Sequence, residues 1–198
     1  MTPSLPSTPR SPVVLVLASG RGERFKASGG QVHKLQALLG GRPVLQRTLA
    51  AVQASGLPWH LEDVGHPGMG DSIAAAVRAT AQAPGWLVLP ADLPLIRPET
   101  LRQVAQVLMQ GPATVVMPFF EGERGHPVGF AAACGPALQA LSGEGGAAPV
   151  LRQQAPDQRL SLAVSDAGVV TDIDTLADLA RAEALGQQRG DWGPAPGG

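Results

Sequence analysis

Short, unbroken apolar runs alternate along this chain with longer segments whose apolar residues fall three or four apart. The first run is VVLVLA at 13–18, rich in valine and leucine. A run without polar interruption predicts a strand buried on both faces of a parallel sheet. The signature recurs at Trp86–Leu89 within GWLVLPADLPLI, and in shorter form in ATVVMPFF, HPVGFAAA and LSLAV. Between the runs the period lengthens to that of a helix. Residues 43–54, PVLQRTLAAVQA, set Val44, Leu45, Leu49 and Val52 at helical spacing, with Pro43 suited to the first turn. Residues 71–82 predict a second helix with Asp71 or Ser72 as N-cap, and 98–110 a third with proline near its start. GPALQALS and 147–154 predict short helices, and 174–185, DTLADLARAEAL, the closing one, capped by Asp174 or Thr175. Strands alternating with helices predict an α/β fold layered around a mostly parallel sheet.

The ends break the pattern. MTPSLPSTPRSP is rich in proline and serine and lacks the apolar core of a signal peptide. The expectation is a disordered lead over 1–11, one folded domain over 12–186 and a flexible tail over 187–198, with Trp192 outside the core. At 198 residues, 44% hydrophobic and 16% charged, the chain suits one globular domain. A net charge of −1 gives no general pull toward nucleic acid or a membrane, so any anion site must be local. No apolar run reaches the roughly 20 residues that span a bilayer. Cys134 is the single cysteine, expected as a small core residue, and a reducing cytoplasm is the expected compartment. There is no CxxC or HxxxH pair for structural zinc.

Ligands of open α/β sheets bind beyond the carboxyl ends of the strands, and three loops there carry chemistry. ASGRGERF follows the first strand and Lys34 lies further along. Glycines let backbone N–H groups approach phosphates, and arginines neutralise them; an ordinary turn with solvated arginines is the bland alternative. PADLPLI places Asp92 between two prolines at a strand end, where a stiff carboxylate suits Mg²⁺ or, more plainly, a turn. VVTDIDTLADL carries Asp172 and Asp174, which share one face if extended and could complete a metal site with Asp92. Asp174 could equally cap the last helix.

These loops, in this order, resemble the nucleotidyltransferase family that includes the molybdenum-cofactor cytidylyl- and guanylyltransferases. LASGRGERF is similar to the family's phosphate loop, and Lys34 with LQALLGGRPVLQRTL to its continuation. GMGDSIAAAV, LPADLPLIRPETL, GHPVGF and DIDTLADL are similar to four further segments, and the match covers most of the folded region. The resemblance implies a Rossmann-like three-layer α/β/α sandwich and transfer of a nucleoside monophosphate from an NTP to a phosphate acceptor, releasing pyrophosphate. It implies that Leu17, Ala18, Ser19, Gly20, Arg21 and Gly22, with Arg24 and Lys34, hold the triphosphate. Asp92 with Asp172 or Asp174 would hold Mg²⁺, while Arg24, Lys34 and Asp92 serve the reacting phosphates. Gly70 and Ser72 would lie by the base or ribose, and His126 and Glu144 would face the acceptor. LASG and GMGDS resemble the cytidylyl branch, so CTP is the first expectation and GTP the second; Ser19 would narrow the space for a purine. A molybdopterin-type acceptor and a molybdoenzyme partner are implied with it.

The sequence departs from the family in four places. KASGGQVH lengthens the step from Arg24 to Lys34. The stretch QASGLPWHLEDVGHP is short enough to omit one β-α unit. GEGGAAPVLR has alanine at an expected arginine, with Arg152 nearby, and Leu176 replaces a proline. Two other classes follow from these changes: a transferase for a sugar phosphate or another small phosphate, and a silent nucleotide-binding or chaperone-like module. A dinucleotide-binding reading wants an acid about 20 residues past the glycine loop, where this chain has Leu38, Leu39, Gly40 and Gly41. His33 and His66 are expected as surface loop residues.

Overall fold

The computed structural model describes residues 11–192. Residues 1–10 of the expected lead and 193–198 of the expected tail lie outside the described residues. The elements run β1 (Val13–Leu17), α1 (Glu23–Ala27), a 3-10 turn Lys34–Gln36, β2 (Leu38–Leu39), β3 (Arg42–Pro43), α2 (Val44–Ser55), β4 (Trp59–Glu62) and α3 (Met69–Ala79). Then come β5 (Gly85–Pro90), α4 (Pro98–Gln110), β6 (Val115–Phe120), β7 (Glu123–Arg124), β8 (Val128–Ala131), α5 (Gly135–Gln139), α6 (Ala148–Gln153), β9 (Arg159–Ala163) and α7 (Leu176–Arg189).

The sheet orders as β4-β1-β5-β8-β6-β7, with β9 also on β6. β4 and β5 run parallel to β1, and β9 parallel to β6. β8 is antiparallel to both β5 and β6, so the sheet is mixed. Period-two alternation divides β1 between two cores, one for each face. Val14 and Val16 join α2 and α4 through Val44, Val52, Leu101 and Val104. Val13, Leu15 and Leu17 join α3, α5 and α6 through Ile73, Val77, Leu138 and Val150. This double burial is why the strand carries no polar residue, and it gives the expected three-layer α/β sandwich.

Several boundaries differ from the sequence reading, each for a local reason. The short stretch after α2 holds one strand, β4, at the sheet edge; Trp59 is exposed there, so no continuous apolar run marks it. α3 starts at Met69 with Gly68 as cap, earlier than Asp71 or Ser72. A Cβ on Gly68 would lie 2.3 Å from the Gly143 carbonyl carbon, so only glycine lets the turn pack this closely. Asp71 instead accepts from the Gly143 N–H at 2.8 Å. HPVGFAAA is strand only over Val128–Ala131, followed by a 3-10 turn. α7 is capped by Thr175, whose hydroxyl accepts from Asp178 N. It runs past the expected end of the domain to Arg189, closed by left-handed Gly190. Trp192 packs on the core instead of hanging free, with the Arg47 guanidinium 4.2 Å from its ring centroid.

One buried hydroxyl links the core to the loop that carries Asp92. Thr48 on α2 is fully buried and donates to Ala91 O at 2.8 Å. Thr48→Val keeps the shape and strands that carbonyl. A loss of about 1–2 kcal/mol is expected, read from the urea midpoint. An unchanged midpoint would mean that the hydroxyl does not anchor the loop.

Candidate active site at the carboxyl edge of the sheet

β1, β4 and β5 are parallel, so their carboxyl ends open on one edge, and a cavity of about 400 Å³ lies there. Its centre is the loop after β1. Gly22 takes a left-handed conformation, φ 65°, to turn the chain into α1. Ser19 Oγ and Ser72 Oγ share a hydrogen bond at 2.5 Å. His33 Nδ1 accepts from Leu35 N at 3.3 Å, which leaves its Nε2 to donate to Gly20 O at 2.8 Å. His33 thus bolts the 3-10 turn onto the loop, a role its loop position does not signal. Among the described residues, the N–H groups of Ser19, Gly20, Arg21 and Gly22 have no backbone acceptor. That leaves them available to an anion.

Asp92 follows β5 and Asp174 precedes α7, and Lys34 joins them. Its Nζ lies 2.5 Å from Asp92 Oδ2 and 2.8 Å from Asp174 Oδ1. Arg24 Nη1 adds a contact to Asp174 Oδ2 at 2.6 Å. The long loop from Arg24 therefore folds back and delivers Lys34 to the site. Burial alone would lower the lysine's pKa, but Asp92 and then Asp174 outweigh it and hold it above its usual range. Asp172 stands near this cluster without an ion pair to Lys34 or Arg24 among the described residues. Its carboxyl is pushed up, first by desolvation against the protein wall and then by the charge of Asp92.

A divalent cation fits these residues in part. Asp92 Oδ1 is buried without a hydrogen-bond partner among the described residues. Carboxylate oxygens are the donors that Mg²⁺ and Mn²⁺ prefer, usually one or two together with substrate phosphates. No group of three or more His, Cys, Asp or Glu is arranged for a metal among the described residues, so Asp92, Asp172 and Asp174 do not form a ready three-carboxylate site. Lys34 stands between the two that come together.

The remaining expected site residues divide into lining and support. Ser19 to Arg24, Lys34, Glu144 and Asp174 line the cavity. Leu17 is buried; its carbonyl accepts from Ala91 N at 3.0 Å, and Ala18 N donates to Glu62 O at 2.8 Å. Gly70 and Ser72 sit behind the wall: Gly70 N donates to Gly143 O at 2.7 Å, and the Ser72 hydroxyl is taken by Ser19 and Gly68. His126 does not line the cavity. It is enclosed near Asp92, and burial lowers its pKa although the nearby Val88 backbone and the Asp92 charge act to raise it.

The sequence alone does not single out Glu62 or His60, and it places His66 in a surface loop. Glu62 ends β4 at 6% exposure, with His66 Nε2 3.1 Å from one carboxylate oxygen and His60 Nε2 3.4 Å from the other. His60 and Glu62 share a face because residues two apart in a strand do, which is the signal WHLED offered. His66 is not an idle loop residue: it lines the cavity.

The profile of the MobA-like NTP transferase domain matches residues 14–159. The bifunctional protein GlmU of Desulfitobacterium hafniense is 28% identical over 134 residues, 56% of this chain and 29% of that protein. The chain thus spans under a third of that curated relative's length. Among solved structures, Rv0371c of Mycobacterium tuberculosis H37Rv superposes with a TM-score of 0.72 at 22% identity, covering 88% of this chain and 97% of that one. The same protein has been solved in complex with manganese. Molybdopterin-guanine dinucleotide biosynthesis protein A of Archaeoglobus fulgidus superposes at 0.65 and 18% identity, covering 89% of this chain and 99% of that one. At these identities the superpositions establish the shared α/β fold, and the domain match establishes the family. The chain belongs to the MobA-like NTP transferase family, whose members are nucleotidyltransferases.

Proposed function

We propose that this protein transfers a nucleoside monophosphate from an NTP, CTP first and GTP second, to a phosphate group on a molybdopterin-type acceptor. An acceptor phosphate oxygen bonds to the α-phosphorus, the α–β phosphoanhydride bond breaks, and pyrophosphate leaves. One observation carries the reading. Lys34, Arg24, Asp92 and Asp174 meet beside a glycine loop with open N–H groups. The loop N–H groups and Arg24 hold the triphosphate. Lys34 neutralises charge on the reacting phosphates. Asp92 with Asp174 holds Mg²⁺, which supplies charge neutralisation at the phosphoryl oxygens when bound. Glu144, which lines the same cavity, would face the acceptor. His126 is enclosed near Asp92 and outside the cavity lining, so it is given no contact to the acceptor. Such chemistry asks for positioning and electrostatics more than covalent help.

A second acceptor class, a sugar phosphate or another small phosphate, is favoured by the acceptor wall. GEGGAA offers Glu144 and no arginine. Among the described residues, no helix is long and apolar enough to cross a membrane. No nucleic-acid or membrane partner belongs to the reading, whereas a molybdoenzyme that receives the product does, and the cytoplasm is its proposed compartment.

Calorimetry with each of the four NTPs, with and without Mg²⁺, tests the donor half. Mg²⁺-dependent binding of CTP above the others is expected. GTP preference moves the protein to the guanylyl branch. Absence of all binding sinks the proposal and leaves a silent module.

A further inference from the structure

We infer that His66, held by Glu62, is a specificity-determining residue that accepts a hydrogen bond from an exocyclic amine of the nucleobase. The inference rests on the proposed nucleotide site and adds what the site selects.

The sheet order sets the direction of the ligand. β1 lies between β4 and β5, so the phosphate loop lies between His66, which follows β4, and Asp92, which follows β5. A nucleotide with its phosphates over the loop and reaching toward Asp92 extends its base toward the β4 side. His66, Pro67, Gly68 and Met69 line the cavity there.

The chemistry of Glu62 then sets what His66 offers. Burial raises the Glu62 carboxyl, but the hydrogen bonds of His66 and then His60 outweigh it and hold its pKa below the usual range. An ionised carboxylate only accepts, so His66 Nε2 must carry the proton in its 3.1 Å bond to Glu62 Oε1. In the neutral ring the other nitrogen, Nδ1, is then an acceptor. Nδ1 has no hydrogen-bond partner among the described residues, and the ring lines the cavity. An amine on cytosine, adenine or guanine satisfies it. The carbonyl of the deaminated base sets acceptor against acceptor. Ser19, tied to Ser72 at 2.5 Å, stands on the adjoining wall, which favours the smaller cytosine among the three.

The test uses amine and carbonyl pairs: CTP with UTP, ATP with ITP, and GTP with XTP. Each is titrated calorimetrically in magnesium buffer, with inorganic tripolyphosphate as a probe of the phosphate loop alone. In the native protein, the tightest-binding amine nucleotide should exceed its deaminated partner by about tenfold or more. His66→Phe should bring that ratio to within about twofold while tripolyphosphate binds as before. Glu62→Gln leaves the ring in place but removes the charge that fixes its proton, so the ratio should shrink at least about threefold. A ratio that survives His66→Phe, or no preference in the native protein, overturns the inference while the nucleotide site stands. If neither nucleotides nor tripolyphosphate bind, the proposed function fails and the inference fails with it.

Discussion

Asp92→Asn should reduce turnover by about a thousandfold or more while leaving the fold in place. The substitution is nearly isosteric and removes one negative charge from a carboxylate whose Oδ1 is buried and unpartnered among the described residues. Lys34 is not stranded, because its 2.8 Å contact to Asp174 remains. Stability should therefore change by only about 1–2 kcal/mol, less than when a buried charge loses its last partner. Pyrophosphate release measures turnover, and a thermal melt followed by circular dichroism measures the fold. Unchanged pyrophosphate release would remove Asp92 from the metal site. Loss of both activity and the melting transition would make Asp92 a structural residue first.

The fold was legible wherever burial was two-sided or strongly periodic. β1 and β5 are apolar throughout because both of their faces are covered, and that leaves one interpretation of the residues. α4 begins and ends where its spacing and Pro98 place it. β4 was not legible, because an edge strand with exposed Trp59 and half-buried His60 has no apolar signature. The start of α3 was hidden for a different reason: it depends on Gly68 and Gly70 meeting Ser142 and Gly143, a contact between residues far apart in sequence. The same division holds at the site. Arg24, Lys34, Asp92 and Asp174 stand at strand ends or helix starts, and their residue types suit phosphate and metal chemistry. Glu62 and His66 declare themselves only when β4 is known to be a strand and its end is placed beside the loop. Asp172 and Asp174 flank buried Ile173, whose N–H donates to Asp92 O at 3.0 Å, but only Asp174 is tied to Lys34 and Arg24, a difference that alternation alone does not signal.

Lys34→Met should lower turnover about a hundred- to thousandfold and yet tighten Mn²⁺ binding about tenfold or more when no nucleotide is present. Both effects come from where the ammonium sits. At 2.5 Å from Asp92 and 2.8 Å from Asp174, it neutralises the two carboxylates that would hold a divalent cation. A divalent cation held by these carboxylates would be repelled by the ammonium beside it, so Lys34 would have to loosen its contacts for Asp92 and Asp174 to keep a metal. The destination with matching charge is the triphosphate over the Ser19–Gly22 loop. Metal and nucleotide should therefore help each other bind, since the triphosphate would give Lys34 another anionic partner. Methionine fills much of the same volume without the charge, so the carboxylates are opened to the metal and the triphosphate loses a neutralising group. Mn²⁺ titration followed by electron paramagnetic resonance reads the first effect, and pyrophosphate release reads the second. Tighter Mn²⁺ binding with turnover intact would make Lys34 only a structural clamp. Mn²⁺ affinity that does not move would show that the metal lies elsewhere than between Asp92 and Asp174.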